Sequence, residues 1–128
     1  MPDFGAPGYP SGRQLRAYAS NVGRGNTSSA EAFTIPANST ILRIGIEGKV
    51  ASNAGTSGRV SLGSSGGSGK DFLADFNVKT NGVGVSFPSS GNFGATGDPN
   101  PTTVTAIYAE DGSASNTGGP WVVWMEII

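Results

Sequence analysis

Apolar side chains recur along this chain at a spacing of two or in brief runs, and almost nowhere at the three-and-four spacing of a helix. Arg13 to Asn21 sets Leu15, Ala17 and Ala19 on one face against Gln14, Arg16 and Tyr18, the pattern of a strand with one wet side. Thr40 to Glu47 places Leu42, Ile44 and Ile46 together, opposite Arg43, Gly45 and Glu47. Val60 and Leu62 share a face of Arg59 to Gly63, and Phe72, Ala74, Phe76 and Val78 alternate with Leu73, Asp75 and Asn77. Val83, Val85 and Phe87 form a further apolar face, as do Val104, Ala106 and Tyr108 within Thr103 to Glu110.

Between these runs stand the residues that break regular structure. Asn81-Gly82 predicts a tight hairpin, because both central positions of a type I′ turn need positive φ; Asp111-Gly112 is a second such signal. Ser64 to Gly69 is too permissive to hold an element, and Phe87 to Pro101 carries so many Gly and Pro that a long surface loop is expected. Roughly seven or eight short strands without intervening helices imply an all-β fold. The expectation is a single-domain antiparallel β-sandwich, jelly-roll-like, over residues 13–128, preceded by an extended N-terminal arm over residues 1–12.

Two segments depart from simple alternation. The final strand is apolar on both pleat faces, with Trp121, Val123, Met125 and Ile127 on one side and Val122, Trp124 and Ile128 on the other. Such a strand is covered twice. Either a loop of the same chain supplies the outer cover, or another subunit does; the second is preferred, because a small domain has few means of covering both faces of its own sheet. Trp121, Val123, Trp124, Met125 and Ile127 are therefore candidates for sandwich core or subunit interface. Met1 to Gly12 cannot be a strand interior, yet it carries Phe4 and Tyr9. A frayed terminus is one reading. An extended arm anchored on a neighbouring protein by its aromatics is the other, and it is preferred because disordered tails are poor in aromatics.

Composition removes most chemistry. The chain has 128 residues, room for one domain, with 13% charged residues and a net charge of −1, which argues against an electrostatic nucleic-acid or membrane binder. It has no Cys and no His, so disulfides, thiolate or Ser-His-Asp catalysis and the commonest metal ligands are absent. No run approaches a membrane span, and the first residues lack the charged head and apolar run of a signal peptide. No enzyme activity, cofactor or metal is expected.

The remaining motifs are weak. Gly66-Gly67-Ser68-Gly69-Lys70 resembles a phosphate loop, but Ser64 stands where its first glycine belongs and Asp71 where a Ser or Thr should bind magnesium. Asp71 and Asp75 on one extended strand would stand about 13 Å apart, too far for paired-carboxylate hydrolysis. Asp98 and Asn100 offer calcium-type oxygens without EF-hand spacing, and read better as caps of their own loop. Asn26-Thr27-Ser28 and Asn38-Ser39-Thr40 match a glycosylation pattern that the Asn/Ser/Thr-rich composition produces by accident. Arg13, Arg16 and Arg24 are too few for nucleic acid and suit acidic groups on a neighbouring protein.

Phe33 to Gly63 resembles the small all-β capsid decoration (cement) proteins of tailed bacteriophages. The shared elements are Phe33 to Ala37 (a Phe-x-Ile-Pro-Ala segment), the apolar strand Ile41 to Glu47, the Gly/Ser/Thr loop Val50 to Gly58, and Val60 to Gly63. The likeness continues through Asp71-Phe72-Leu73-Ala74, Thr103 to Tyr108 and the closing aromatic-aliphatic strand. It implies a homotrimer on the outer capsid surface that bridges major capsid protein subunits, without nucleic acid or membrane. Phe4, Tyr9, Arg13 and Arg16 would face the shell. The alternative is a carbohydrate- or receptor-binding module of a head or tail fibre, with Phe93 as platform and Asn92, Asp98 and Asn100 as hydrogen-bonding groups.

Overall fold

The computed structural model describes residues 14–88, 94–96 and 98–128. Among these residues nine strands form and no helix: β1 (Arg16–Val22), β2 (Ala30–Ile35), β3 (Thr40–Gly48), β4 (Ser57–Ser64), β5 (Leu73–Asn77), β6 (Gly84–Ser86), β7 (Gly94–Ala95), β8 (Thr102–Asp111) and β9 (Trp121–Ile127). Alternating β-branched and aromatic residues suit a pleated surface with one buried side, and the Gly- and Pro-rich intervals end each run before a helix can nucleate.

The strands make two antiparallel sheets. The first is ordered β1-β9-β3-β6, with β7 also on β3; the second is β2-β8-β4-β5. β6 pairs with Ile46, Glu47 and Gly48 at one end of β3, and β7 with Thr40 and Ile41 at the other. Together they make one interrupted edge, so the expected long loop after Phe87 contributes a short strand. With that edge counted once, the chain changes sheet at every connection except β4–β5, and the order is that of an eight-stranded jelly roll.

The core lies between the sheets. Trp121, Val123, Met125 and Ile127 point inward and are at most 2% exposed. Trp121 stacks on Tyr108 of the opposite sheet, with ring centroids 5.4 Å apart and planes 12° from parallel. Each polar handle is satisfied: Trp121 Nε1 donates to the Gly82 carbonyl at 3.1 Å, and the Tyr108 hydroxyl lies 2.6 Å from that of Ser52 and donates to Glu110 at 3.0 Å.

Several expected faces are reversed. In β1 the inward residues are Tyr18, Ser20 and Val22, while Ala17 and Ala19 are exposed. Tyr18 stacks on Phe33 of β2 at 5.9 Å, and that large ring decides the face that two alanines could not. Leu42 falls in a bulge between Ile41 and Arg43 and is exposed, so the inward set of β3 is Ile41, Ile44 and Ile46. A shift between Val60 and Leu62 of β4, with Asp75 at φ 55°, breaks the alternation of β5; Leu73 and Phe76 face Leu62 and Val60, and Ala74 is exposed. Val83, Val85 and Phe87 are exposed rather than core. Asn81-Gly82 is no hairpin: β5 and β6 belong to different sheets, and neither residue has positive φ. Gly112 does adopt φ 83°, directly after β8, where the chain crosses between sheets.

Candidate interaction surfaces

Three surfaces merit description: the two outer faces of the sandwich and a groove at one end. On the outer face of the first sheet the register sets three rows. Ala17, Glu126 and Arg43 form one, Ala19, Trp124 and Gly45 the next, and Asn21, Val122, Glu47 and Val85 the third. The Trp124 indole fills the space that a side chain at position 45 would take. Phe87 and Trp124 make a T-shaped pair with ring centroids 5.7 Å apart, and the Arg43 guanidinium lies 4.2 Å from the Phe87 ring centroid. Arg43 is also paired with Glu126, its Nε donating at 3.0 Å. The centre of this face is therefore aromatic and aliphatic, with its charged pair closed on itself. Val85 and Phe87 remain 53% and 47% exposed.

The outer face of the second sheet is polar. Arg59 of β4 bridges Asp111 of β8 at 2.6 Å and Asp75 of β5 at 3.6 Å, and Lys70 reaches Asp75 at 2.9 Å. The Arg59 guanidinium, and after it the Ser57 hydroxyl, hold the Asp111 carboxyl below its ordinary value. Nearby, the Glu110 carboxyl is held below its ordinary value by Ser115, whose amide donates to it at 3.1 Å, and by the Tyr108 hydroxyl at 3.0 Å, against an opposing effect of burial. These contacts tie β4, β5 and β8 together.

The groove, of about 350 Å³, opens at the end of the sandwich where β1 begins and β9 ends. Ile127, Pro36 and Ala37 line it together with Gln14, Arg16 and Asn38.

The candidate residues separate accordingly. Trp121, Val123, Met125 and Ile127 come together inside one subunit, whereas Trp124 faces outward, half covered by its own chain. Arg16 is exposed at the start of β1, on the groove. Phe4, Tyr9 and Arg13 lie outside the described residues, as do Asn92 and Phe93. Asp98 serves its own loop: its carboxylate accepts from the Asn100 amide at 2.9 Å and the Thr102 hydroxyl at 3.4 Å. Lys70 is engaged by Asp75, and Asp71 accepts from the Ser64 amide and hydroxyl, so neither assembles a phosphate loop. Among the described residues no group of three or more acidic side chains is placed to hold a metal ion. The Arg43–Phe87–Trp124 cluster is not legible in the sequence, because its members are far apart in the chain; its one trace is the second apolar face of β9.

The architecture and its surfaces define a jelly-roll β-sandwich with an Arg43–Phe87–Trp124 cluster on one outer face and an Arg59–Asp111–Asp75 ion-pair network on the other. No family model and no curated protein matches the sequence. Among solved structures, the fold is similar to a chain in the capsid asymmetric unit of cyanophage Pam1, with a TM-score of 0.64, 20% identity, and 95% of this chain and 88% of that one covered. It is also similar to a chain in the acid-stable capsid of Helicobacter pylori bacteriophage KHP30, with a TM-score of 0.57, 11% identity, and coverage of 88% and 84%.

Proposed function

We propose that this chain is a structural protein of a phage virion: a capsid decoration, or cement, protein that binds the outer capsid surface as a homotrimer and bridges major capsid protein subunits. The observation that carries the reading is the fold shared, over almost the full length of both chains, with a chain of a phage capsid. The outer face around Trp124 supports it, because an apolar sheet face of this kind suits contact between copies. In this reading Trp124, Phe87 and Val85 meet a second copy, while Trp121, Val123, Met125 and Ile127 stiffen the strand behind them. Phe4, Tyr9 and Arg13, together with Arg16, stand on the shell-facing end.

The physics of the role is undemanding of chemistry. A ligand that binds assembled capsid subunits better than separated ones stabilises the assembly by mass action. Three linked copies of a modest contact hold far more tightly than one. No titratable machinery is required, and a nearly neutral protein serves. Sedimentation of the purified protein with and without expanded empty capsids tests the proposal. A trimer that co-sediments with shells and raises their disruption temperature is the expected result; a monomer at micromolar concentration that leaves shells unaltered refutes it.

A further inference from the structure

The glycine-serine loop between β4 and β5 folds back over the outer face of the second sheet and leaves a cavity of about 260 Å³ there. Thr105 of β8, only 8% exposed, lies at its base, between Ser29 on one side and the loop on the other. The loop is held in one shape. Asp71 accepts from the Ser64 amide at 2.8 Å and from its hydroxyl at 2.6 Å. A Cβ at Gly63 would strike the Gly69 backbone, and one at Gly67 would crowd the Ser64 hydroxyl and the Asp71 carboxylate. Gly69 has φ 79°, which only glycine adopts readily. A side chain at 69 would start 3.5 Å from the Ser29 hydroxyl, so glycine there also keeps the cavity open.

The hydrogen-bonding state of the lining groups selects a class of ligand. The amides of Ser64, Ser65, Gly67 and Lys70 are engaged by Asp71, the Thr103 carbonyl, the Ser64 carbonyl and the Ser68 hydroxyl. The run of successive free amides that cradles a phosphate is thus broken. The Lys70 ammonium is turned to Asp75 at 2.9 Å, and among the described residues no cation lines the cavity. What the cavity offers is hydroxyls in mixed states. Ser64 and Thr105 already donate, to Asp71 and to the Gly63 carbonyl at 3.2 Å, so each can only accept from a ligand. Ser68 accepts from the Lys70 amide and keeps its own proton to give. A neutral molecule with adjacent hydroxyls, each both donor and acceptor, matches this set; an anion has no proton for Ser64 and Thr105, and an apolar ligand would leave the serines unpaired. We propose that the cavity between Ser29, Thr105 and the Ser64–Gly69 loop is a binding site for a neutral saccharide, one ring in size. The bare backbone at Gly67 and Gly69 lets that ring approach the loop closely.

Amide chemical shifts of the isolated, isotope-labelled full chain, titrated with D-glucose, D-galactose and N-acetylglucosamine, test the site. At least one of the three should give saturable shifts confined to Ser29, residues 64–69, Thr105 and their neighbours. Half-saturation is expected at about 1–10 mM, the range of a small ligand held by a few hydrogen bonds. Inorganic phosphate should leave the same amides unmoved. Ser29→Leu puts a bulky side chain at an exposed position, so the protein should fold normally and lose the response. Thr105→Val removes an accepting hydroxyl at nearly constant volume and should weaken binding about tenfold. No saturable shift with any of the three sugars up to about 100 mM, shifts centred elsewhere, an equal response to phosphate, or a response indifferent to Ser29→Leu overturns the proposal. The titration involves no capsid, so the shell reading can fail without touching this one, and the reverse.

Discussion

Trp124 lies over Gly45 on the outer face of the first sheet, its indole occupying the volume that any larger residue at 45 would claim. The pairing is local in register and remote in sequence. It keeps the aromatic close to the sheet, where Phe87 packs against it in a T-shape and Arg43 covers Phe87. Gly45→Val should therefore displace the indole and destabilise the fold by about 1–3 kcal/mol, as overpacking usually does. Urea unfolding measures the loss, and a red shift of tryptophan emission should accompany it; unchanged emission and midpoint would show that the ring moves aside freely.

The two tryptophans should behave oppositely on truncation. Trp121→Ala removes a fully buried ring stacked on Tyr108 and should cost about 3–5 kcal/mol. Trp124→Ala should cost clearly less in the isolated subunit yet weaken association of the copies. Chemical denaturation paired with analytical ultracentrifugation separates the two effects. Equal stability losses with unaltered association would remove the outer face from the proposed contact.

Arg43→Glu offers a gentler probe of the same face. The Arg43–Glu126 pair is solvent-exposed, and such pairs contribute about 0–1 kcal/mol, so the fold should survive with little change. The reversal sets like charges side by side at the centre of an apolar face. A sedimentation coefficient falling from trimer towards monomer is expected; an unperturbed trimer would place the contact elsewhere.

Acid should act through the second sheet. Asp111 and Glu110 are both held below their ordinary values, so both bind protons more readily in the unfolded chain than in the folded one. Their contribution is fully present above the unfolded values near pH 4 and is lost as pH falls through the lower, folded ones. The thermal midpoint should be level from neutrality down to about pH 5 and decline below it. Asp111→Asn and Glu110→Gln should each flatten the decline, and added salt should diminish the Asp111 part because its side chain is 64% exposed. A midpoint rising towards pH 3 would contradict the sign.

Tyr108→Phe isolates the buried hydroxyl. Its loss takes from Ser52 a partner at 2.6 Å and from Glu110 a donor at 3.0 Å, and should cost about 1–3 kcal/mol while leaving the ring stack intact. The same variant should reduce the acid sensitivity attributed to Glu110. Wild-type stability at neutral pH would mean that water replaces the hydroxyl.

The sequence by itself determined the class of structure and much of its chemistry. Period-two runs cut by Gly and Pro permit strands and forbid helices, and the absence of Cys and His removes whole families of reaction. It also marked β9 as apolar on both faces but left open which face is core, and the structure turns Trp121, Val123, Met125 and Ile127 inward and Trp124 outward. Tertiary structure decided the rest. β1 turned Tyr18 inward instead of Ala17 and Ala19 because Phe33 waited in the opposite sheet. Bulges at Leu42 and near Asp75 exchanged faces within single strands. A face is chosen by what packs against it, and a shift of one residue inverts every side chain beyond it. The Gly45–Trp124 cluster and the end groove were illegible for the same reason: they exist only where strands distant in the chain become neighbours in a sheet.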